Sequence, residues 1–302
     1  MPFRSGFVSI IGRPNAGKST LLNKLVGEKI AIVTAKPQTT RNRIQGFVNL
    51  PAQTGRPAGQ IIFVDTPGVH KPESALNRKM MREVHDALEG RDLILLMVDA
   101  TQPFGRGDEF TLQLVKRAGG RVFLLLNKVD LVEKPKLLPM IEQYSRLHAF
   151  EEIIPISART GQGLDVLLDK VARALPEGPR YFPADQVTDQ PERFLAAEIV
   201  REKVLMLTKQ EVPYAATVGI DLYEEKDTLT HIAATIYVER PGQKGIIIGK
   251  GGEMLKRIGT AARHELERRC GVKVFLELFV KVREGWREQR GFVEELDWRS
   301  RS

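Results

Sequence analysis

Gly12-Arg13-Pro14-Asn15-Ala16-Gly17-Lys18-Ser19 stands between an apolar run, Phe7-Val8-Ser9-Ile10-Ile11, and a segment apolar at helical spacing, Thr20-Leu21-Leu22-Asn23-Lys24-Leu25-Val26. No other stretch constrains the chain as much. A buried strand, a glycine-bounded loop and a helix in that order curl the backbone until several N–H groups converge, with the positive end of the helix dipole behind them. Such a loop cradles an anion, and the Lys-Ser that closes it fits a nucleoside triphosphate. Lys18 is placed to reach the β- and γ-phosphates, and the Ser19 hydroxyl to hold Mg²⁺. Gly12, Arg13, Pro14, Asn15, Ala16, Gly17 and Thr20 complete the expected nucleotide contacts. The loop does not name the base.

The chain has 302 residues, room for about two domains with their own cores. Its single cysteine, Cys270, excludes an intramolecular disulfide and a cysteine-cluster zinc site, and fits a reducing cytoplasm. The longest apolar runs, Leu93 to Val98 and Val122 to Leu126, are strand-sized rather than membrane-spanning. Met-Pro-Phe-Arg-Ser-Gly leads straight into the first strand, so no signal peptide is expected. Histidines 70, 85, 148, 231 and 264 show no ligand spacing and read as structural or surface residues.

After the first helix, Ala35 to Arg43 is polar and basic, a surface loop in which a threonine can reach a metal beside the γ-phosphate. Val48 and Ile61 to Val64 predict two strands joined by a Pro/Gly-rich hairpin loop, 51–59. Asp65-Thr66-Pro67-Gly68 ends the second of these. An acidic residue there is placed to hold Mg²⁺ through water, and Gly68 can bring its N–H against the γ-phosphate because no Cβ intervenes. Val122 to Leu126 ends in Asn127-Lys128-Val129-Asp130, whose carboxylate can accept both guanine N–H groups that adenine lacks. Ile153 to Ile156 runs into Ser157-Ala158-Arg159, whose backbone N–H can meet the guanine oxygen. A helix over 161–175 closes the unit.

Phosphate loop, threonine loop, Asp-Thr-Pro-Gly, Asn-Lys-Val-Asp and Ser-Ala-Arg, in this order, resemble the five nucleotide boxes of small GTPases. The resemblance implies a mostly parallel α/β sheet with each box at a strand's C-terminal end, GTP and GDP as ligands, and Lys18, Thr40 and Gly68 in the catalytic set. It makes Ser19, Thr40 and Asp65 the Mg²⁺ set, with Thr39 the alternative to Thr40. Asn15 looks like the asparagine that in related GTPases coordinates a potassium ion in place of an arginine finger; the other reading is that it caps the loop. The position after Asp-Thr-Pro-Gly, where many GTPases carry a water-orienting glutamine, is Val69, so slow intrinsic turnover is expected.

In the second half, prolines and glycines over 176–190 predict a linker. Then come a helix over Pro191 to Leu207, strands Tyr214 to Tyr223 and Thr230 to Glu239, a short helix with three isoleucines, the turn Gly249-Lys250-Gly251-Gly252, a basic helix to about Arg269 and a strand over 272–282. The order helix–strand–strand–helix–Gly-x-x-Gly–helix–strand resembles the type II KH RNA-binding domain, an α+β unit. It implies that a sugar–phosphate chain crosses the bare loop. Residues 240–283 hold 11 Lys/Arg against 4 Asp/Glu, although 176–302 is balanced overall. Arg240, Gln243, Lys244, Gly249, Lys250, Gly251, Gly252, Lys256 and Arg257 are the expected RNA contacts. The expected division is a GTPase domain at 1–175, a linker at 176–190, a KH domain at 191–285 and a helical tail at 286–302.

A GTPase domain joined to a type II KH domain in about 300 residues resembles the Era family of bacterial ribosome-assembly GTPases. That resemblance implies a cytoplasmic monomer binding the 3′ end region of 16S ribosomal RNA during small (30S) subunit maturation, with a peripheral contact to the inner face of the plasma membrane also open. The alternative is an RNA-binding KH module whose nucleotide domain is mainly structural.

Overall fold

Apolar runs bounded by turns become the strands of the first half in this computed structural model, which describes residues 2–36, 39–69, 73–208 and 212–301. In chain order these are β1 (Arg4–Gly12), α1 (Lys18–Val26), β2 (Ile44–Leu50), β3 (Gly59–Asp65), α2 (Ala75–Leu88), β4 (Leu93–Asp99), α3 (Arg106–Ala118), β5 (Val122–Asn127), α4 (Lys134–Leu147), β6 (Glu152–Pro155) and α5 (Leu164–Ala174). The sheet runs β2-β3-β1-β4-β5-β6. All neighbours are parallel except β2 and β3, the expected hairpin, where Ile44 faces Asp65 and Leu50 faces Gly59. Ile10, Phe63, Leu95 and Leu125 of the central strands are fully buried. Helices cover both faces of a parallel sheet, so these strands read as continuous apolar runs without alternation. Gly12, Asp65, Asp99 and Asn127 all lie at strand C-terminal ends, the edge at which open α/β sheets place ligands.

The chain clusters into two compact units, and residues up to Asp189 belong to the first, apart from two short segments described below. The proline-rich segment before Asp189 forms no helix and no strand ladder, yet it is pinned. The Phe47 N–H donates to Val187 O at 2.9 Å, and Thr188 Oγ1 donates to Gln45 O at 2.6 Å. Phe182 stacks on Phe47 with ring centroids 3.9 Å apart. β2 is a sheet edge whose free backbone groups would otherwise invite pairing, and this segment covers it.

The second unit contains α6 (Glu192–Leu207), α7 (Val212–Ala215), β7 (Thr217–Glu225), β8 (Leu229–Val238), α8 (Pro241–Ile248), α9 (Glu253–Cys270), β9 (Lys273–Val282) and α10 (Arg290–Glu295). β8 pairs antiparallel with β7 and parallel with β9, the latter made possible by the crossover through α8 and α9. Tyr214, expected in the first strand of this unit, lies in α7 instead, because the proline before it has a fixed φ suited to a helix start. Even-numbered residues of β9, such as Val274 and Val280, face the helices, while Phe275 and Phe279 are half exposed on the other face. Trp286 of the tail is fully buried and donates its indole N–H to Ala215 O at 2.8 Å.

Two segments from the first half of the sequence, Ile32–Thr39 and Pro72–Lys79, group with the second unit. The Val33 N–H donates to Glu202 Oε1 on α6 at 3.0 Å, and Lys79 pairs with Asp297 in the tail at 3.1 Å. Among the described residues no helix is long and apolar enough to cross a membrane.

Candidate nucleotide site and nucleic-acid interface

The phosphate loop is held open by positions where a side chain would not fit. Asn15 and Gly17 adopt positive φ, 63° and 103°. A Cβ at Gly17 would sit 2.3 Å from Asn127 Nδ2, and one at Gly12 would sit 2.4 Å from Met97 O. Lys18 opens α1 with only 6% of its surface exposed, and its ammonium donates to the Gly12 and Arg13 carbonyls, each at 3.1 Å. Burial pulls its pKa below the usual lysine range, opposed by the Asp65 charge. Around it, Asn15 is exposed on the crest, Ala16 is buried, and Pro14 and Thr20 are half buried. The Arg13 guanidinium pairs with Asp108 at 2.7 Å, so it anchors the loop to α3.

The three residues expected to hold Mg²⁺ come together. Ser19 Oγ donates to Asp65 Oδ2 at 2.6 Å and lies 2.8 Å from Thr40 Oγ1, which in turn donates to Asp65 Oδ2 at 3.4 Å. Asp65 Oδ1 is buried and has no hydrogen-bond partner among the described residues. An orphaned buried carboxylate oxygen beside two hydroxyls is a hard-oxygen set suited to Mg²⁺ and its waters. Burial pushes the Asp65 carboxyl up, against the Lys18 charge and the Ser19 and Thr40 hydroxyls. Thr39, the alternative, hydrogen-bonds Thr34 at 2.9 Å instead.

Beyond Asp65, Thr66 donates its hydroxyl to Ile10 O at 2.8 Å, and Pro67 and Gly68 are buried. A Cβ at Gly68 would lie 2.7 Å from Pro14 Cγ, so this glycine is required where the box meets the phosphate loop. Val69 is 3% exposed and packs into the apolar layer beneath α2, so its side chain cannot orient a water. Pro37 and Gln38 of the threonine loop, and residues 70–72 shortly after the Asp-Thr-Pro-Gly box, lie outside the described residues.

At the base end, Asn127 is 2% exposed. Its Nδ2 donates to Ala16 O at 2.7 Å, and its Oδ1 accepts the Ala158 N–H at 2.9 Å. Of the Ser157-Ala158-Arg159 backbone N–H groups expected near the guanine oxygen, that of Ala158 is thus bonded to Asn127 in this structure. Lys128, at φ 68°, pairs with Asp99 at 2.5 Å. Asp99 is not among the sequence-predicted residues, although it ends β4 directly opposite Asn127 in the register. Asp130 lies 2.5 Å from the exposed Arg159 guanidinium. Hydrogen bonds from Ser157 and then Arg159 hold its carboxyl below the usual range, ionised and ready to accept.

In the second unit the two ends of Gly-x-x-Gly differ. Gly249 has φ 74°, and a Cβ there would lie 2.7 Å from Met254 Cβ, so it lets α8 meet α9 closely. Gly251 and Gly252, at φ 60° and 83°, have nothing within 4 Å of a built Cβ and present bare backbone. Arg240, Lys250, Lys256 and Arg257 are exposed and Lys244 is half exposed around this loop. Gln243 sits differently from these exposed residues. It is 9% exposed, and its Oε1 accepts the Glu239 and Arg240 N–H groups at 3.0 Å each, capping the start of α8.

Family models match residues 7–128 as a 50S ribosome-binding GTPase and residues 211–287 as a KH domain. GTPase Era of Geobacter metallireducens is 54% identical over 299 residues, 98% of each chain. The crystal structure of a variant of Aquifex aeolicus Era bound to GDP·AlF4⁻ superposes with a TM-score of 0.91 at 43% identity, covering 96% of this chain and 97% of that one. Era in complex with MgGDPNP and nucleotides 1506–1542 of 16S ribosomal RNA superposes at 0.92 with 42% identity and the same coverage. With its phosphate cradle, guanine box and KH unit in the same order, this chain belongs to the Era family of GTPases.

Proposed function

We propose that this GTPase binds the 3′ end region of 16S ribosomal RNA through the Gly249–Gly252 turn and assists maturation of the 30S subunit, with GTP setting the RNA-binding state. The observation that carries it is the grouping of Ile32–Thr39 and Pro72–Lys79 with the RNA-binding unit, although in sequence they flank the Asp65 and Thr40 boxes. The γ-phosphate alone distinguishes GTP from GDP, so it can act only on chain it touches. Here that chain continues directly into segments folded with α6 and the tail. The Era complex with MgGDPNP and 16S nucleotides 1506–1542 supports the choice of RNA.

In this reading the loop N–H groups and Lys18 bind the β- and γ-phosphates, and Asp130 selects guanine. Ser19, Thr40 and Asp65 would hold Mg²⁺. When bound, that ion neutralises phosphate charge and lowers the barrier to attack by water. Asn15 carries the amide oxygen chemistry that a potassium ion takes. Val69 leaves the water to backbone or a partner, which fits slow turnover by the protein alone. Arg240, Lys244, Lys250, Lys256 and Arg257 supply charge along the phosphate chain.

The same reading places the protein in the cytoplasm as a monomer. A peripheral contact with the inner face of the plasma membrane would draw on the basic excess before residue 50, eight Lys/Arg against one acidic residue. Co-sedimentation with anionic vesicles tests that contact. For the RNA, crosslinking the GTP-bound protein in cells and sequencing the attached RNA is decisive. Reads concentrated at the 16S 3′ end, with adducts at Gly249–Gly252, are expected; adducts that avoid this turn would overturn the assignment.

A further inference from the structure

Arg201 is an arginine with 2% of its surface exposed, on a helix where a charged residue would ordinarily face water. Its Nε and Nη2 donate to the Glu198 carboxylate at 2.7 and 2.6 Å, and Nη2 also donates to the Thr39 carbonyl. Nη1 is buried with no hydrogen-bond partner among the described residues. Two further contacts fix the same segment to α6. The Val33 N–H donates to Glu202 Oε1 at 3.0 Å, and the Lys36 ammonium donates to the carbonyls of Leu205 and, at 2.5 Å, Thr208. Those carbonyls belong to the last turn and cap of α6, where a cation is favoured by the unpaired C=O groups and the dipole.

The Thr39 carbonyl carbon is bonded to the nitrogen of Thr40, and Thr40 Oγ1 lies 2.8 Å from Ser19 Oγ. We infer that Arg201 is a positioning residue for Thr40, holding the peptide that precedes it so that its hydroxyl stays in the Ser19–Asp65 cluster. The inference rests on the reading of Thr40 as a Mg²⁺ threonine. Glu198 aims the guanidinium by binding it through two nitrogens, a planar fork that lysine cannot reproduce. Lys36 at the end of α6 is the second anchor. Because both anchors end on a helix of the RNA-binding unit, a shift of α6 alters the Thr39–Thr40 peptide, and through it the affinity for the metal. By reciprocity, the occupied metal site then holds α6 in place.

The test is GTP hydrolysis by the full chain as a function of Mg²⁺ concentration, with GDP affinity measured alongside. Arg201→Met should raise the Mg²⁺ concentration for half-maximal rate by about fivefold or more, with GDP affinity unchanged within about twofold. Arg201→Lys should recover only part of the loss. Because Arg201 is buried, Lys36→Met at a half-buried position provides an independent variant and should shift Mg²⁺ dependence in the same direction. Thr40→Ala separates the two ideas. If it leaves Mg²⁺ dependence unchanged, the reading of Thr40 is wrong. If it shifts that dependence while folded Arg201→Met and Lys36→Met do not, the positioning role is wrong.

Discussion

The Asn127 carboxamide donates to the Ala16 carbonyl at 2.7 Å and accepts the Ala158 N–H at 2.9 Å, so one buried side chain ties the base-recognition loop to the phosphate loop. Truncating it leaves two buried backbone groups without partners, at about 1–3 kcal/mol each. Asn127→Ala should therefore destabilise the protein by about 2–6 kcal/mol in urea unfolding. It should also weaken GTP and GDP together, by about tenfold or more in calorimetry, since the strut serves both loops and touches no γ-phosphate. Loss confined to GTP would contradict this role.

Asp130 tests the base assignment. Asp130→Asn exchanges an acceptor for a donor where two guanine N–H groups must be accepted. A closed polar site rejects a mismatched partner strongly, so GTP affinity should fall by about a hundredfold or more, with xanthine nucleotides gaining. Unchanged GTP affinity would remove Asp130 from the site.

Much of the site is legible in the sequence because its boxes combine a residue type with a strand end. Gly12, Asp65 and Asn127 are marked by the apolar runs that precede them, and the GxxG turn by the isoleucines and basic helix around it. Contacts between distant parts of the chain carry no such local signal. The role of Gln243 as a cap is hidden because its partners are the backbone of Glu239 and Arg240. Nothing in the sequence marks Arg201 or Glu202, both buried, because their partners, the Thr39 carbonyl and the Val33 N–H, lie more than 160 residues away along the chain. The proline-rich stretch before Asp189 signals irregular backbone, but nothing in it says which sheet edge it covers.

Asp297 sets an acid limit on the second unit. Burial alone would raise its carboxyl; the Arg299 hydrogen bond and the Lys79 and Arg299 charges overcome this and hold it at about 2, below its ordinary value of 3.8. A depressed folded-state pKa contributes stability that is complete above the unfolded value and is lost as pH falls through the folded one. Between pH 5 and pH 2, about 1–2 kcal/mol should therefore disappear, allowing for solvent screening. Asp297→Asn should remove this part of the acid sensitivity while lowering stability by a similar amount at pH 7. Thermal melts across that range check it, and an unaltered acid profile would contradict it.

Asn15 tests the monovalent-cation proposal. Replacing K⁺ by Na⁺ at constant ionic strength should slow GTP hydrolysis by about tenfold or more, the scale of losing one preorganised charge at the reacting phosphate. Asn15→Ala should abolish the difference between the two ions. Equal rates in K⁺ and Na⁺ for the unaltered chain would exclude the ion.

The most direct measurement is the affinity of the full chain for a 16S 3′-end oligonucleotide, determined in parallel with a non-hydrolysable GTP analogue and with GDP at one salt concentration. The GTP-analogue complex is predicted to bind the RNA at least about fivefold more tightly, and the RNA to tighten analogue binding by the same factor. Equal RNA affinity in the two nucleotide states would contradict the account, leaving the phosphate site and the GxxG turn as two uncoupled binding sites on one chain.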